Sequence, residues 1–369
     1  MTDILIVGGG VIGLLLAREL VKQSISVAIV DSGELGREAS WAGGGIVSPL
    51  YPWNYSKPVT ALANWAQQAY PNLAAELAVE SGIDPEFNPC GLMMLDPPGK
   101  DRILDWASVN QKAVQLLSAQ QALAKESALG CGLDYAVWWP HIGNIRNPRL
   151  LRSLYAYLKM SDHCKVYSHT EVESIRESKS GQVDIIAVGK KLTASKAVIC
   201  AGAWTGKLLG ALGVDTPIQP VRGQMLIFEP RPGLINSMIL HQGRYLIPRL
   251  DGRILVGSTL EYTGFDKATT KEARELLLEQ AFKLVPELRS VPVEAHWSGL
   301  RPGSPHGIPF IGKVPGWSNL YVNAGHFRNG LVLAPASVRL MRNLLLNEEP
   351  IVDPGPYDPL TPRPSSDMF

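Results

Sequence analysis

Cysteine is scarce in this chain: four residues among 369, at Cys90, Cys131, Cys164 and Cys200. None belongs to a C-x-x-C pair, and their spacing fits no metal-ligand set. A disulfide framework and a structural metal are therefore not expected. The thiols are expected to be reduced and mostly buried, as in a cytoplasmic protein. Basic runs are also missing, and the formal net charge is only +1. A chain without a positive stripe lacks the electrostatic footprint of a nucleic-acid binder. Long uninterrupted apolar runs are absent too. The nearest candidate, "ILIVGGGVIGLLLA" from Ile4 to Ala17, is broken by glycines and too short to cross a bilayer. Only Asp3 is charged ahead of it, where a leader would carry lysines. No membrane partner is expected.

What is present is a globular composition, 46% hydrophobic and 19% charged, long enough for two ordinary domains. The 35 glycines cluster, which suggests backbone lying close to a ligand. Asp3 to Val7 reads as a buried parallel strand, "LLLARELVKQ" as a helix, and "SVAIVD" as a second buried strand. Helical zones are expected over about 60–80 and 101–128, with "GLMMLD" a strand between them. "KVYSHTEVESIRE" and "GQVDIIAVGKKLTASKAVICAGAW" read as further strands. After Gln219 the strands come at short spacing, and Asp251-Gly252 marks a hairpin, so an antiparallel sheet is predicted. "TTKEARELLLEQAFKLV" predicts a helix with a capping box from Thr269 to Glu272. "LRPGSPHGIPFIG" reads as a Gly/Pro loop, followed by a strand, a helix to about Leu346 and a Pro-rich tail. The fold class expected is α/β: a Rossmann-like domain with an inserted α+β domain on an antiparallel sheet. The first is assigned residues 1–82, 143–218 and 297–369, the second 83–142 and 219–296.

The segment "VGGGVIG" carries G-x-G-x-x-G at Gly8, Gly10 and Gly13, with Val11 and Ile12 opening the helix. Such glycines permit a tight turn, close approach of backbone to pyrophosphate, and close helix–strand packing. The helix N-terminus offers free N–H groups and partial positive charge. Asp31, with Ser32 beside it, ends the second strand, where a carboxylate hydrogen-bonds a ribose and repels a 2′-phosphate. A second glycine cluster, "REASWAGGGIVS", contributes Ala39, Ser40, Gly43, Gly44 and Gly45. A ligand reaching from Gly8 to that cluster suits FAD. Gly202 and Trp204 in "CAGAW" are further candidates for the cofactor site.

Near the other end, "NAGHFRNGLVLAPAS" sets Gly325, His326, Phe327, Arg328, Asn329, Gly330 and Leu331 where a strand hands over to a helix. "HWSGLRPGSPHG" places Arg301 beside Trp297 in a stiff loop, and "HQGRYLIPR" places Tyr245 in a strand. Arginine matches a carboxylate through two parallel hydrogen bonds, and a tyrosine hydroxyl adds a third. By themselves these residues also fit a solvated turn and a core tyrosine.

"VGGGVIG", "SWAGGG", "HQGRYLIPR", "WSGLRPG" and "AGHFRNGLVLAPAS" occur in this order. In that arrangement the chain resembles the ThiO-type glycine oxidases, within the D-amino-acid-oxidase/sarcosine-oxidase (DAO) group of FAD enzymes. The resemblance implies that Arg301 grips a substrate carboxylate, Tyr245 assists it, and Arg328 lies at the substrate end of the flavin. It implies that Val172 meets adenine through its backbone, and that Gly325 to Leu331 line the isoalloxazine. Relatives that attach flavin covalently use a cysteine near the C-terminus. This chain has none after Cys200, so FAD is expected to be non-covalent. One departure is Gly243, where the glycine oxidases carry a second histidine two residues before the tyrosine. The implied reaction oxidises glycine or small D-amino acids to a keto acid, ammonia and hydrogen peroxide, by hydride transfer from Cα to flavin N5. Its usual setting is thiamin thiazole formation. Sarcosine oxidase and D-amino-acid dehydrogenase are the alternatives, and a non-enzymatic nucleotide-binding protein is the third. The partners are a small amino acid and O2, and a homo-oligomer, tetramer or dimer, is expected. No histidine stands out as a general base: His326 and His241 could touch the site, His141, His163, His169 and His306 read as structural, and His296 stays open.

Overall fold

The apolar run Ile4–Val7 is buried throughout, and its register explains why. In the computed structural model, which describes residues 2–363, strand β1 (Thr2–Val7) lies between two parallel neighbours. It pairs Ile4 with Val27 of β2 (Val27–Val30) and with Lys196 of strand Lys190–Ile199. A strand covered on both faces needs no polar alternation. Between β1 and β2 runs helix α1 (Val11–Val21), which is buried along almost its whole length. This eight-stranded sheet has the path Phe310–Lys313, Leu320–Ala324, Lys190–Ile199, β1, β2, Cys164–Tyr167, with the hairpin Val172–Glu177/Val183–Ala187 attached to Lys190–Ile199.

One face of that sheet packs α1, the long helix Lys57–Ser81, helix Asn147–Lys159 and helix Gly330–Leu346 into a single apolar cluster. Arg18 of α1 is 3% exposed and pairs with Glu76 and Glu80 of the long helix at 2.6 and 2.7 Å. The second eight-stranded sheet runs Val293–Gly303, Gln219–Phe228, Ile254–Gly257, Arg244–Pro248, Met238–His241, Leu92–Leu95, Tyr135–Trp139, Gln115–Ser118. It is antiparallel except where Leu92–Leu95 joins Met238–His241 in parallel.

Several local expectations change. The helical zone 101–128 is two helices, Lys100–Val109 and Ala119–Lys125, separated by edge strand Gln115–Ser118. Ser118 ends that strand and starts the second helix by a reciprocal capping box with Gln121. The helix after Thr269 is capped one residue later. Thr270 accepts from the Ala273 N–H, and the Thr270 N–H goes to Gln224 Oε1 at 2.9 Å rather than to a glutamate on the helix. "LRPG" is not loop but the end of strand Val293–Gly303, held by pairing with Gln219–Phe228. The expected domain limit at 297 thus falls inside a strand, while residue 1 and residues 364–369 lie outside the described residues. All four cysteines are free, but only Cys200 is buried and the others are half-buried, which corrects the expectation of mostly buried thiols. No described helix is long and apolar enough to cross a membrane.

Candidate active site

Each glycine of "GGGVIG" meets a different constraint. Gly8 has φ +109°, and a Cβ there would stand 2.4 Å from the Cys200 carbonyl oxygen. A Cβ on Gly13 would stand 1.9 Å from the Gly8 carbonyl oxygen, so α1 can approach β1 only without it. At Gly10 the nearest atom would be Ser40 Oγ, at 3.1 Å. Ser40 also accepts from the Val11 N–H at 2.9 Å, joining the second glycine cluster to the helix start. Asp31 ties the loop to β2: Oδ2 accepts from the Gly9 N–H at 2.7 Å and Oδ1 from the Gly33 N–H at 2.8 Å. Burial pushes its carboxyl pKa up against those bonds. Each oxygen keeps further acceptor capacity for a ribose.

The second glycine cluster is held from behind. Asn147 Nδ2 donates to the Ser40 carbonyl at 2.7 Å. Trp297 Nε1 donates to the Ala42 carbonyl at 3.1 Å, and its ring meets Trp41 edge-on at 5.7 Å. The Tyr245 ring packs on this cluster, since a Cβ on Gly44 would lie 3.0 Å from it.

Arg301 sits on a strand, not in a loop, and crosses Gly223 of the neighbouring strand, whose Cβ would stand 2.0 Å from Nη1. Nη2 donates to Ser258 Oγ at 2.7 Å and Nη1 to the Thr259 carbonyl at 3.2 Å. Burial pushes its pKa down, and the charge of Arg328 adds to that. Arg244 is lowered by burial and again by Arg328. Among the described residues, none of Arg244, Arg301 and Arg328 lies within ion-pair distance of a carboxylate.

A cavity of about 640 Å³ connects these pieces. Gly8, Gly10, Val11, Ile12, Asp31, Ser32 and Val172 line one part. Ala39, Ser40, Gly43, Gly44, Gly45, Gly202 and Trp204 line it further along. Tyr245, Arg301, His326, Phe327, Arg328, Gly330 and Leu331 complete it. Three expected residues do not reach it. Gly13 stands behind Gly8. Gly325, at φ +81°, packs toward Phe310 and Ser304, and Asn329 is buried.

His326 does reach the cavity but is engaged behind it. Ser337 donates to Asn323 Oδ1, so His326 Nε2–H donates to Ser337 Oγ at 2.7 Å. Burial pushes its pKa down to about 3, which keeps the ring neutral. His241 pairs with Arg244 across the hairpin, one residue out of step with Tyr245. Strand alternation therefore turns it to the face opposite Tyr245, and the expectation that it touches the site is corrected.

Sequence reasoning missed Ser258, Asn147 and Lys207, and also Tyr70, whose buried hydroxyl donates to the Leu331 carbonyl. Only Tyr70 left a signal, as a tyrosine at a core position of a helix, and nothing in the sequence named its partner.

A family model described as DAO, FAD dependent oxidoreductase, matches residues 3–344. The chain belongs to the DAO family of FAD-dependent oxidoreductases. The glycine oxidase of Pseudomonas aeruginosa is 48% identical over 356 residues, covering 96% of this chain and 98% of that protein. The crystal structure of glycine oxidase from Geobacillus kaustophilus superposes with a TM-score of 0.90 at 31% identity, covering 96% of this chain and 97% of that one. The bifunctional protein ThiO/ThiG of Synechocystis is 29% identical, covering 94% of this chain and 52% of that protein. The glycines that DAO-family FAD requires fit here, because the positions a Cβ would block are those where Gly8 and Gly13 bring the loop and helix together.

Proposed function

We propose that this DAO-family chain is an FAD-dependent glycine oxidase that also accepts small D-amino acids. What carries the reading is the pair Arg301 and Arg328 at the Tyr245 end of the cavity, without a carboxylate partner among the described residues. Cations left unpaired in a half-buried pocket favour an anionic ligand, and a small carboxylate matches the guanidinium geometry. Arg301 and Arg328 would hold that carboxylate, and Tyr245 would orient it. Gly8, Gly10, Val11, Ile12, Asp31 and Ser40 would hold the pyrophosphate and ribose, and Val172 the adenine. FAD bound there supplies a hydride acceptor at N5 and passes the electrons to oxygen as hydrogen peroxide.

The protein's part is orientation. With its carboxylate held, the amino acid presents Cα in one direction. Its amine must be neutral for hydride to leave. No base is assigned, since His326, the one histidine lining the cavity among the described residues, is already committed to Ser337. The imino acid is hydrolysed by water to glyoxylate and ammonia. Residues 1–82, 143–218 and 297–369 are proposed as the FAD-binding unit, and 83–142 and 219–296 as the substrate unit. The ThiO/ThiG relatives support a place in thiamin thiazole formation. A cytoplasmic homo-oligomer, tetramer or dimer, completes the reading, and light scattering of the holoprotein checks its size.

The test is a panel of glycine, sarcosine and D-alanine under anaerobic conditions, followed by a peroxide assay in air. Glycine should bleach the flavin and yield peroxide. Preference for sarcosine would replace this reading with sarcosine oxidase. Bleaching without peroxide would point to a dehydrogenase, and no bleaching by any of the three would remove the enzyme assignment.

A further inference from the structure

Arg249 follows the strand that carries Tyr245 but does not line the cavity. It is 6% exposed. Nη1 donates to Asn144 Oδ1 at 2.7 Å and to the Ile145 carbonyl at 2.9 Å, and Nη2 donates to the Gly44 carbonyl at 2.8 Å. No acceptor in this set is charged. Glu86 and Asp251, whose fields reach Arg249, are instead paired with Arg146 at 3.1 and 2.8 Å. Burial pushes its pKa down only to about 10, so the guanidinium stays charged at neutral pH. A buried cation without a counter-ion is costly to keep, and a neutral side chain could fill the space at lower cost. This one lies one carbonyl group behind the glycine cluster that forms a wall of the cavity.

We infer that Arg249 is a positioning residue for the cofactor: it clamps the Gly44 carbonyl and places an uncompensated positive charge behind the glycine cluster, which favours negative charge on the bound flavin. The hydrogen bonds fix the loop on which the Tyr245 ring packs, and the charge acts through it at low local dielectric. This rests on the placement of FAD in the cavity given above.

Sulfite tests the charge without turnover. It forms a reversible S–N5 bond with oxidised flavin and leaves negative charge on the ring, so its dissociation constant reads the local field. Asn144→Asp puts a carboxylate where the amide oxygen now sits. That neutralises Arg249 in place while keeping the hydrogen bond. The expected result is sulfite binding weakened at least about tenfold with the flavin-to-protein ratio unchanged. Arg249→Lys, which keeps the charge, should stay within about threefold of wild type. The inference is overturned if Asn144→Asp also stays within that range, or if Arg249→Lys weakens as far as Asn144→Asp. Should Asn144→Asp lose flavin, Arg249→Met gives the same reading: weaker sulfite binding supports the charge, and wild-type affinity overturns it. Wild-type protein that binds no flavin would overturn the cavity placement on which the inference rests.

Discussion

Arg301 reaches the cavity across a glycine, and both ends of its guanidinium are occupied by Ser258 and Thr259. It is therefore held in place before any substrate arrives. Arg301→Ala should reduce kcat/KM for glycine by at least about thirtyfold, from a loss of about 2–5 kcal/mol in a charge-assisted contact. Flavin content should not change, because Arg301 is absent from the pyrophosphate part of the wall; steady-state kinetics and the visible spectrum of the purified variant check both points. His326 makes a different prediction. Its pKa is about 3 when folded, against 6.5 for the ordinary imidazole. The folded state thus binds fewer protons than the unfolded state between those values, so its contribution is complete above the unfolded pKa. It is lost as pH falls toward the folded pKa, at about 1.4 kcal/mol per pH unit. The stability advantage of wild type over His326→Asn should shrink by about 2 kcal/mol between pH 7 and pH 5. Urea midpoints at the two pH values measure it, and a pH-independent difference would show that the ring is not held neutral.

At the scale of elements, α1 depends on two glycines for different reasons. Gly13→Ala would drive a methyl into the Gly8 carbonyl, and neither backbone can yield, so a loss of about 3 kcal/mol or more is expected. Gly10→Ala meets only the hydroxyl of Ser40, which can turn aside. That variant should fold with a melting temperature close to wild type but bind FAD more weakly; calorimetry and flavin titration separate the pair. The β1–α1–β2 unit was legible because burial on both faces leaves an uninterrupted apolar run, and the glycine spacing is local. The edge strand Gln115–Ser118 was not legible, since only Leu117 of its residues is buried. Arg301 was misplaced because "RPG" signals a loop, and its pairing with Gln219–Phe228 is a long-range fact. The cap at Thr270 was missed for the same reason: Gln224, on another strand, takes the role that a local pattern assigns to Glu272. Tyr245, Arg301 and Arg328 were found by motif, whereas Ser258, Asn147 and Tyr70 hold them or their neighbours through contacts that no spacing reveals.

The whole molecule closes its cavity with walls from both sheets: Asp31 and Asn323 belong to the first sheet or its edges, Tyr245 and Leu300 to the second. A ligand spanning them stabilises both at once. FAD at about 100 times its dissociation constant should add about 2.7 kcal/mol. For a chain of this size that is a rise of about 3–4 degrees in the unfolding temperature of the apoprotein. A thermal-shift titration checks this, and NADP should give no shift, because Asp31 repels a 2′-phosphate.

The cavity has one further consequence, in the order of synthesis. Gly8 leaves the ribosome well before Phe327 to Val332, on the opposite wall. Strand Leu320–Ala324, which leads into that wall, docks onto Lys190–Ile199 beside β1. At roughly 5–20 residues per second, the nucleotide loop waits some tens of seconds for the wall that completes it. Cofactor capture then follows synthesis of that second wall, and a nascent chain arrested before Gly330 should emerge colourless even when flavin is abundant.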